Sequence, residues 1–183
     1  MQVFSLVKEQ KKQGITARLL MDGYPSYQAL NNYKPLLQEL DATVIKAGDL
    51  QEAAAQLKSI GCQLLHAHSS LSFPMAAALA AQFNIPLVLT CHGPGLNRQE
   101  YRPYLQQAKT IICTSHKVAA GLKQFASKIH IVPSGVDLTV CTPGQKAEPA
   151  KIVLITADES GKQKGYHQFC KAVDLLEGVE FYV

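Results

Sequence analysis

Four short clusters in this 183-residue sequence place polar side chains at the ends of apolar runs: His66-Ala67-His68-Ser69, Thr90-Cys91-His92-Gly93, Thr114-Ser115 and Pro133-Ser134-Gly135-Val136-Asp137. In an open α/β sheet, ligands bind outside the carboxyl ends of the strands, so chemistry is expected at such positions. His92 is the sharpest of them. A full apolar run precedes it and Gly93-Pro94-Gly95 follows. A glycine at 93 admits positive φ and lets a ligand approach the backbone closely. An imidazole on such a loop can donate to a ligand hydroxyl or to a developing negative charge. The competing explanation is a histidine that bonds its own turn; the catalytic reading of His92 is adopted.

His66 and His68 are two residues apart, so on a strand they point to the same side. Neither a carboxylate nor a third histidine stands at a supporting spacing, and a metal site is not expected. His66 reads as a satisfied core histidine. His68, at the strand end with Ser69 behind it, faces either a cleft or the fold, and both roles stay open. Gly93-Pro94-Gly95 resembles the start of a dinucleotide fingerprint, but position 98 is Arg98 and no acidic residue follows about 20 positions on, so that reading fails. On a helix over residues 97–108, Arg98, Arg102 and Lys109 fall within one arc, with Tyr101, Leu105 and Ala108 on another side. The basic arc suits an anionic acceptor or lipid headgroups, although a solvated face is the commoner explanation. Ser115 is placed to cap a helix over 116–126, whose N-terminus would then face a ligand.

These clusters need a scaffold, and the sequence alternates strongly. Helix is expected over 2–13, stopped by Gly14, and strand over 15–21. Helix over 29–40 and strand over 42–47 follow. Asp49 caps a helix running to about Ile60, stopped by Gly61. Then come strand 63–67, an alanine-rich helix 72–83 with Pro74 in its first turn, strand 87–91, helix 97–108, strand 110–114, helix 116–126 and strand 129–132. Several strands are continuous apolar runs, which suits a parallel sheet covered on both faces. The pattern predicts a Rossmann-like α/β layer over residues 1–141. Residues 142–150 (Thr-Pro-Gly-Gln-Lys-Ala-Glu-Pro-Ala) read as a linker. Strand 152–156, helix 165–176 and strand 180–183 open a second unit over residues 151–183.

Composition bounds the partners. With 47% apolar residues and a net charge of +4, the chain has enough apolar surface for one core and is only mildly basic. Nucleic acid is not an expected partner, and no run of about 18 apolar residues suggests a spanning helix. The five cysteines are far apart, with neither Cys-x-x-Cys nor zinc spacing, and read as small core residues in a reducing cytoplasm.

Taken together the motifs resemble glycosyltransferase family 4, the group 1 transferases with the GT-B fold. The residues that carry the resemblance are Leu64-Leu65-His66-Ala67-His68, Ile85-Pro86 through Thr90-Cys91-His92-Gly93, Ile111-Ile112-Cys113-Thr114-Ser115, Ile129-His130-Ile131-Val132-Pro133-Ser134-Gly135-Val136-Asp137 and Lys164-Gly165. Each is weak alone; their order and spacing span nearly the whole chain. The resemblance implies a retaining, metal-independent enzyme without a cofactor. Such an enzyme moves a hexosyl unit from a nucleotide-sugar co-substrate to a cell-envelope or small-molecule acceptor. The acceptor binds mainly in the first domain and the donor in the second. By position, His92 would contact the reacting sugar, His68, Ser69, Gly93, Arg98, Arg102, Ser115 and Ser134 would serve the substrate cleft, and Lys164 with Gly165 would reach the donor diphosphate. The acceptor would be a sugar or a lipid-linked sugar, met in the cytoplasm or at the membrane periphery. No feature specifies an oligomeric state.

Three departures from the family pattern shape the expectations. The family begins with a strand and a glycine-rich loop, whereas Met1 already lies in the first helix. That strand is expected to be central, between strands 15–21 and 87–91. No arginine follows Arg102; Asp158 and Glu159 stand in the neighbourhood where the family places one, and carboxylates repel a diphosphate. The acidic donor motif would lie beyond Val183. The chain is therefore expected to be a fragment cut at both ends and inactive alone. A non-catalytic acceptor-binding module, or another GT-B enzyme such as a nucleotide-sugar epimerase, are the alternatives.

Overall fold

In this computed structural model the described residues are 2–22, 34, 35, 37–45 and 49–135, with single positions 138, 144 and 171. The chain divides into two compact units, Met1–Asp137 and Leu138–Val183. The expected linker 142–150 and nearly all of the expected strand-helix-strand over 151–183, including Lys164 and Gly165, lie outside the described residues.

The first unit opens with helix α1 (Gln2–Lys12), stopped by Gly14 at φ 77°. Strands β1 (Leu20–Asp22) and β2 (Thr43–Ile45) pair in parallel, with residues 37–39 helical between them. Helix α2 (Leu50–Ser59) starts because Asp49 accepts a hydrogen bond from the Glu52 N–H at 2.9 Å, and Gly61 follows its end at φ 60°. The second sheet is built from β3 (Leu65–Ala67), β4 (Leu87–Cys91), β5 (Thr110–Cys113) and β6 (Ile129–Ile131), all parallel and in that spatial order. Helix α3 (Phe73–Phe83) joins β3 to β4. Pro74 sits in its first turn and Asn84 ends it at φ 52°, a left-handed position that asparagine tolerates.

Register decides what each face of this sheet carries. Leu87, Leu89 and Cys91 share a face with Ala67, Ile111 and Cys113, and all are buried in the main core with Phe73, Ala76, Ala77 and Ala80 of α3. The alanines let the helix lie close to the sheet. Each fully buried leucine or isoleucine here contributes about 1.5–3 kcal/mol. The opposite face carries His66, Val88, Thr90, Thr110 and Ile112, of which Thr90 alone is fully buried. The sheet thus has a dry face under helices and a second face where polar side chains come together. Cys91 and Cys113 are register partners with buried thiols. Burial above all pushes Cys91 up to about 12, and it raises Cys113 as well, so neither is a nucleophile at neutral pH.

Three expectations need correction. The helix over 97–108 is broken: short 3₁₀ turns, Pro94–Asn97 and Gln99–Tyr101, precede helix α4 (Arg102–Gln107), and Arg98 between them is extended at φ −64°, ψ 149°. Pro103 has no N–H to bond backwards, so the helix begins where that loss costs nothing. The basic arc therefore does not exist as one helix face. The helix over 116–126 is likewise short: α5 (His116–Ala120) gives way to a 3₁₀ segment, Lys123–Lys128, kinked at Phe125. Leu122 and Phe125, three apart, both enter the core, and a tighter turn aligns that spacing. The third correction concerns the sheet. β4 has β3 on one side and β5 on the other, so no vacancy stands beside residues 87–91. Among the described residues the break falls between β1 and β3, although Leu20 and Leu65 pack against the same cluster of Ala53, Leu57 and Leu79.

Several β-strands are also shorter than the apolar runs suggest. Of 15–21 only residues 20 and 21 form a ladder, in the strand Leu20–Asp22 that runs one residue past the expected end, and of 63–67 only Leu65–Ala67 does. Lys128 ties the segment before β6 to the end of α4, its Nζ donating to the carbonyl oxygens of Gln106 at 2.5 Å and Ala108 at 2.9 Å. No helix among the described residues is long and apolar enough to cross a membrane.

Candidate functional site

The in-register pairing of His66 with Val88 places His66 and Thr90 diagonally on the same face of β3 and β4. His66 Nε2 and Thr90 Oγ1 meet at 2.7 Å. Thr90 is 4% exposed and is the one buried polar residue among those described, so this bond satisfies a hydroxyl that would otherwise be stranded. His68 lies one residue beyond β3 and stacks obliquely on His66, with ring centroids 4.1 Å apart. His92 lies one residue beyond β4, its ring centroid 5.9 Å from that of His68. The three imidazoles therefore run in series from the sheet face to the loop. The loop is pinned by Thr114, whose hydroxyl donates to the Cys91 carbonyl oxygen at 3.3 Å, with that of His92 at 3.5 Å.

The electrostatics follow from the crowding. Burial, and after it the neighbouring rings of His66 and His92, pull His68 from its ordinary 6.5 to about 4. Burial, then His92, lowers His66 in the same direction. No carboxylate lies among them to favour the charged forms. His66 and His68 are therefore neutral near pH 7. Nδ1 of His68 is buried and, among the described residues, has no hydrogen-bond partner. Among the described residues no grouping of His, Cys, Asp and Glu is arranged to hold a metal ion.

Beyond the rings opens a cleft of about 350 Å³ lined by His68, Ser69, Thr90, His92, Gly93 and Arg98, together with Ser70, Gly95, Leu96 and Tyr101. Gly93 is extended at φ −143°, not at the positive φ expected of it. Its contribution is space: a Cβ there would meet nothing within 4 Å. Arg98 stands at the rim, 3.8 Å from Glu100, with both side chains mostly exposed. Tyr101 packs edge-on against Phe73, centroids 6.3 Å apart, which links this wall to the core.

Of the residues singled out from the sequence, His68, Ser69, His92, Gly93 and Arg98 come together around this cleft. Arg102 is exposed at the start of α4 and is not among its lining residues. Ser115 is the N-cap of α5, accepting from the Val118 N–H at 3.2 Å. Ser134 is exposed beyond β6. Lys164 and Gly165 lie outside the described residues. Sequence reasoning placed Thr90 in the second strand-end cluster without giving it a role, set Tyr101 on a helix face away from the basic arc, and missed Ser70. The sequence does signal that Thr90 needs a partner, since a polar residue inside a continuous apolar strand must be satisfied.

Comparisons with known proteins agree with one another on the fold. Residues 1–140 match the family model described as Glycosyltransferase Family 4. Two crystal structures of HepE from Anabaena are similar. The one in complex with UDP has a TM-score of 0.50 at 15% identity, covering 67% of this chain and 44% of that one. The one in complex with UDP and glucose has a TM-score of 0.53 at 15% identity, covering 90% and 68%. The chain thus spans less than half the length of the first of these. No curated protein sequence matches it.

Proposed function

The chain belongs to Glycosyltransferase Family 4, and from that premise we propose that the whole protein transfers a hexosyl unit from a nucleotide-sugar to a cell-envelope or small-molecule acceptor, with the first unit supplying the acceptor side. The observation that carries this reading is the convergence of His68 and His92 on one cleft at the carboxyl ends of adjacent parallel strands, inside the region that matches the family. UDP and glucose in the HepE structures support a nucleotide-sugar as the donor class here.

In this reading His92 points at the reacting sugar from a loop whose backbone is open at Gly93. His68 and Ser69 line the acceptor side, and Arg98 stands at the rim. Ser115 and Ser134 remain at neighbouring strand ends, and Arg102 on the outer surface. The donor diphosphate would be held in the second unit by Lys164 and the backbone at Gly165. The transition state is oxocarbenium-like and the leaving group is a nucleoside diphosphate, so donors aimed at the developing charge supply the catalysis. Transfer is proposed to retain configuration and to need no metal, with the protein acting on the cytoplasmic side, free or at the membrane periphery.

The test is direct. The whole protein is incubated with labelled UDP-, GDP- and ADP-hexoses and a mixture of sugar and lipid-linked acceptors. A labelled acceptor product is expected with one of the donors. Absence of product with all three contradicts the proposal.

A further inference from the structure

The cations of this chain are unevenly placed. Through Glu52 the sequence carries six lysines and arginines against six acids. Between Glu52 and Asp137 it carries seven against one, Glu100, and from Asp137 onward five against seven. The excess therefore belongs to the part of the chain that builds the second sheet.

The fold gathers much of that excess on one surface. Strands β3 to β6 are parallel and neighbours in chain order, so right-handed connections put α3, α4, α5 and the 3₁₀ segment Lys123–Lys128 on one side of the sheet. Their buried residues Phe73, Leu105, Val118, Leu122 and Phe125 accordingly share one core. Two contacts fix the order of these elements. Gln107 of α4 donates to the Ala77 carbonyl oxygen of α3 at 2.7 Å, and Lys128 donates to the Gln106 and Ala108 carbonyl oxygens at the end of α4. Arg102 at the start of α4, Lys109 just beyond its end, Lys117 on α5 and Lys123 are all exposed. None of the four has an ion-pair partner among the described residues, whereas Lys8, Lys12 and Arg18 around α1 are paired with Glu39, Glu9 and Asp41. The basic arc that no single helix presents is thus assembled by packing.

We propose that this outer helix layer docks reversibly on the surface of an anionic lipid bilayer through Arg102, Lys109, Lys117 and Lys123. The inference rests on the membrane-peripheral location proposed above and names the surface and the lipid charge that produce it. Tyr101, the residue before α4, lines the cleft, so the docked face adjoins the cleft rim.

The character of the surface selects the partner. A stable protein interface has an apolar centre, and none of the exposed large hydrophobic residues lies on α4, α5 or the 3₁₀ segment. Nucleic-acid recognition favours arginine and exposed aromatic rings. Here three of the four cations are lysines, Tyr104 is half-buried and Phe125 is buried. An anionic leaflet needs only charge. Each lysine or arginine near it strengthens binding about fivefold, and the attraction fades within a Debye length, about 8 Å at physiological salt.

The experiment is co-sedimentation of the 183-residue chain with vesicles of phosphatidylcholine alone and of phosphatidylcholine and phosphatidylglycerol in equal parts. Binding to the anionic vesicles is expected in about 0.1 M salt and is expected to be lost in about 1 M salt, with none to the neutral vesicles. The triple variant Lys109→Gln, Lys117→Gln, Lys123→Gln is expected to bind about a hundredfold more weakly. Lys8→Gln, Lys12→Gln, Arg18→Gln removes the same net charge from the α1 surface and is expected to stay within about fivefold of the wild type. Circular dichroism verifies that both variants are folded. No binding to anionic vesicles, equal binding to neutral ones, equal weakening in the two triple variants, or tighter binding to duplex DNA than to the anionic vesicles overturns the inference. The sugar-transfer assay reads the general function separately: transfer to a soluble acceptor without vesicle binding contradicts the docking surface alone, and vesicle binding without transfer contradicts the enzyme alone.

Discussion

His66 Nε2 and Thr90 Oγ1 meet at 2.7 Å across two adjacent parallel strands, the one contact that satisfies the buried threonine and fixes the first of three consecutive imidazoles. The relationship is diagonal, two residues out of register, so it depends on β3 and β4 being paired as they are. A slip of one residue would send His66 to the dry face among Leu87, Leu89 and Ile111.

Thr90→Val keeps the shape of the side chain and removes the hydroxyl. The His66 ring nitrogen is left without its partner in a half-buried setting. A loss of about 1–2 kcal/mol in urea unfolding is expected. Thr90→Ser should recover most of it. An unchanged denaturation midpoint in Thr90→Val would show that the contact carries no net stability.

Acid should unfold the first unit earlier than its carboxylates alone require. His68 is lowered in the folded state from 6.5 to about 4, and His66 is lowered too. Below pH 6.5 the unfolded chain takes up protons at these positions and the folded chain does not. Their contribution is therefore complete above about pH 6.5 and is lost as the pH falls toward about 4. Melting temperature measured from pH 8 to pH 4 should decline through that window. His68→Phe, which removes the titration, should flatten the decline.

Ser115 and Asp49 are expected to act as helix caps, so their alanine variants should each lose about 1 kcal/mol of stability. The bonds at risk are those from the Val118 N–H at 3.2 Å and the Glu52 N–H at 2.9 Å. Chemical denaturation of each variant checks this. A loss in Ser115→Ala well below that in Asp49→Ala would return Ser115 to the list of candidate ligand contacts.

Much of the layer was legible because apolar continuity and caps are local signals. Leu87–Cys91 is a strand from end to end, Gly14 and Gly61 stop their helices in left-handed geometry, and Asp49 caps as its position suggests. The misses share a cause in long-range structure. Residues 97–108 look periodic, yet Pro103 sets the helix start and Arg98 is left extended at the cleft rim. Phe125 looks helical, yet the core takes it through a tighter turn. The site was legible in its strand-end histidines but not in how they touch. Nothing in the spacing of His66 and Thr90 along the chain shows that they meet, since their contact is set by strand register. Likewise Gly93 was chosen for a conformation it does not adopt, and matters for the space beside it.

The central claim is that the cleft bounded by His68 and His92 is the acceptor-side sugar site of a glycosyltransferase. It is tested most directly by following the anomeric signal of the product by NMR when the whole protein acts on a nucleotide-sugar and an acceptor, with and without EDTA, for the wild type and His92→Ala. The expected result is a glycosylated product of retained configuration, formed equally in EDTA and about 10²–10³-fold more slowly by His92→Ala. An inverted product, dependence on a divalent metal, or an undiminished rate in His92→Ala would contradict it.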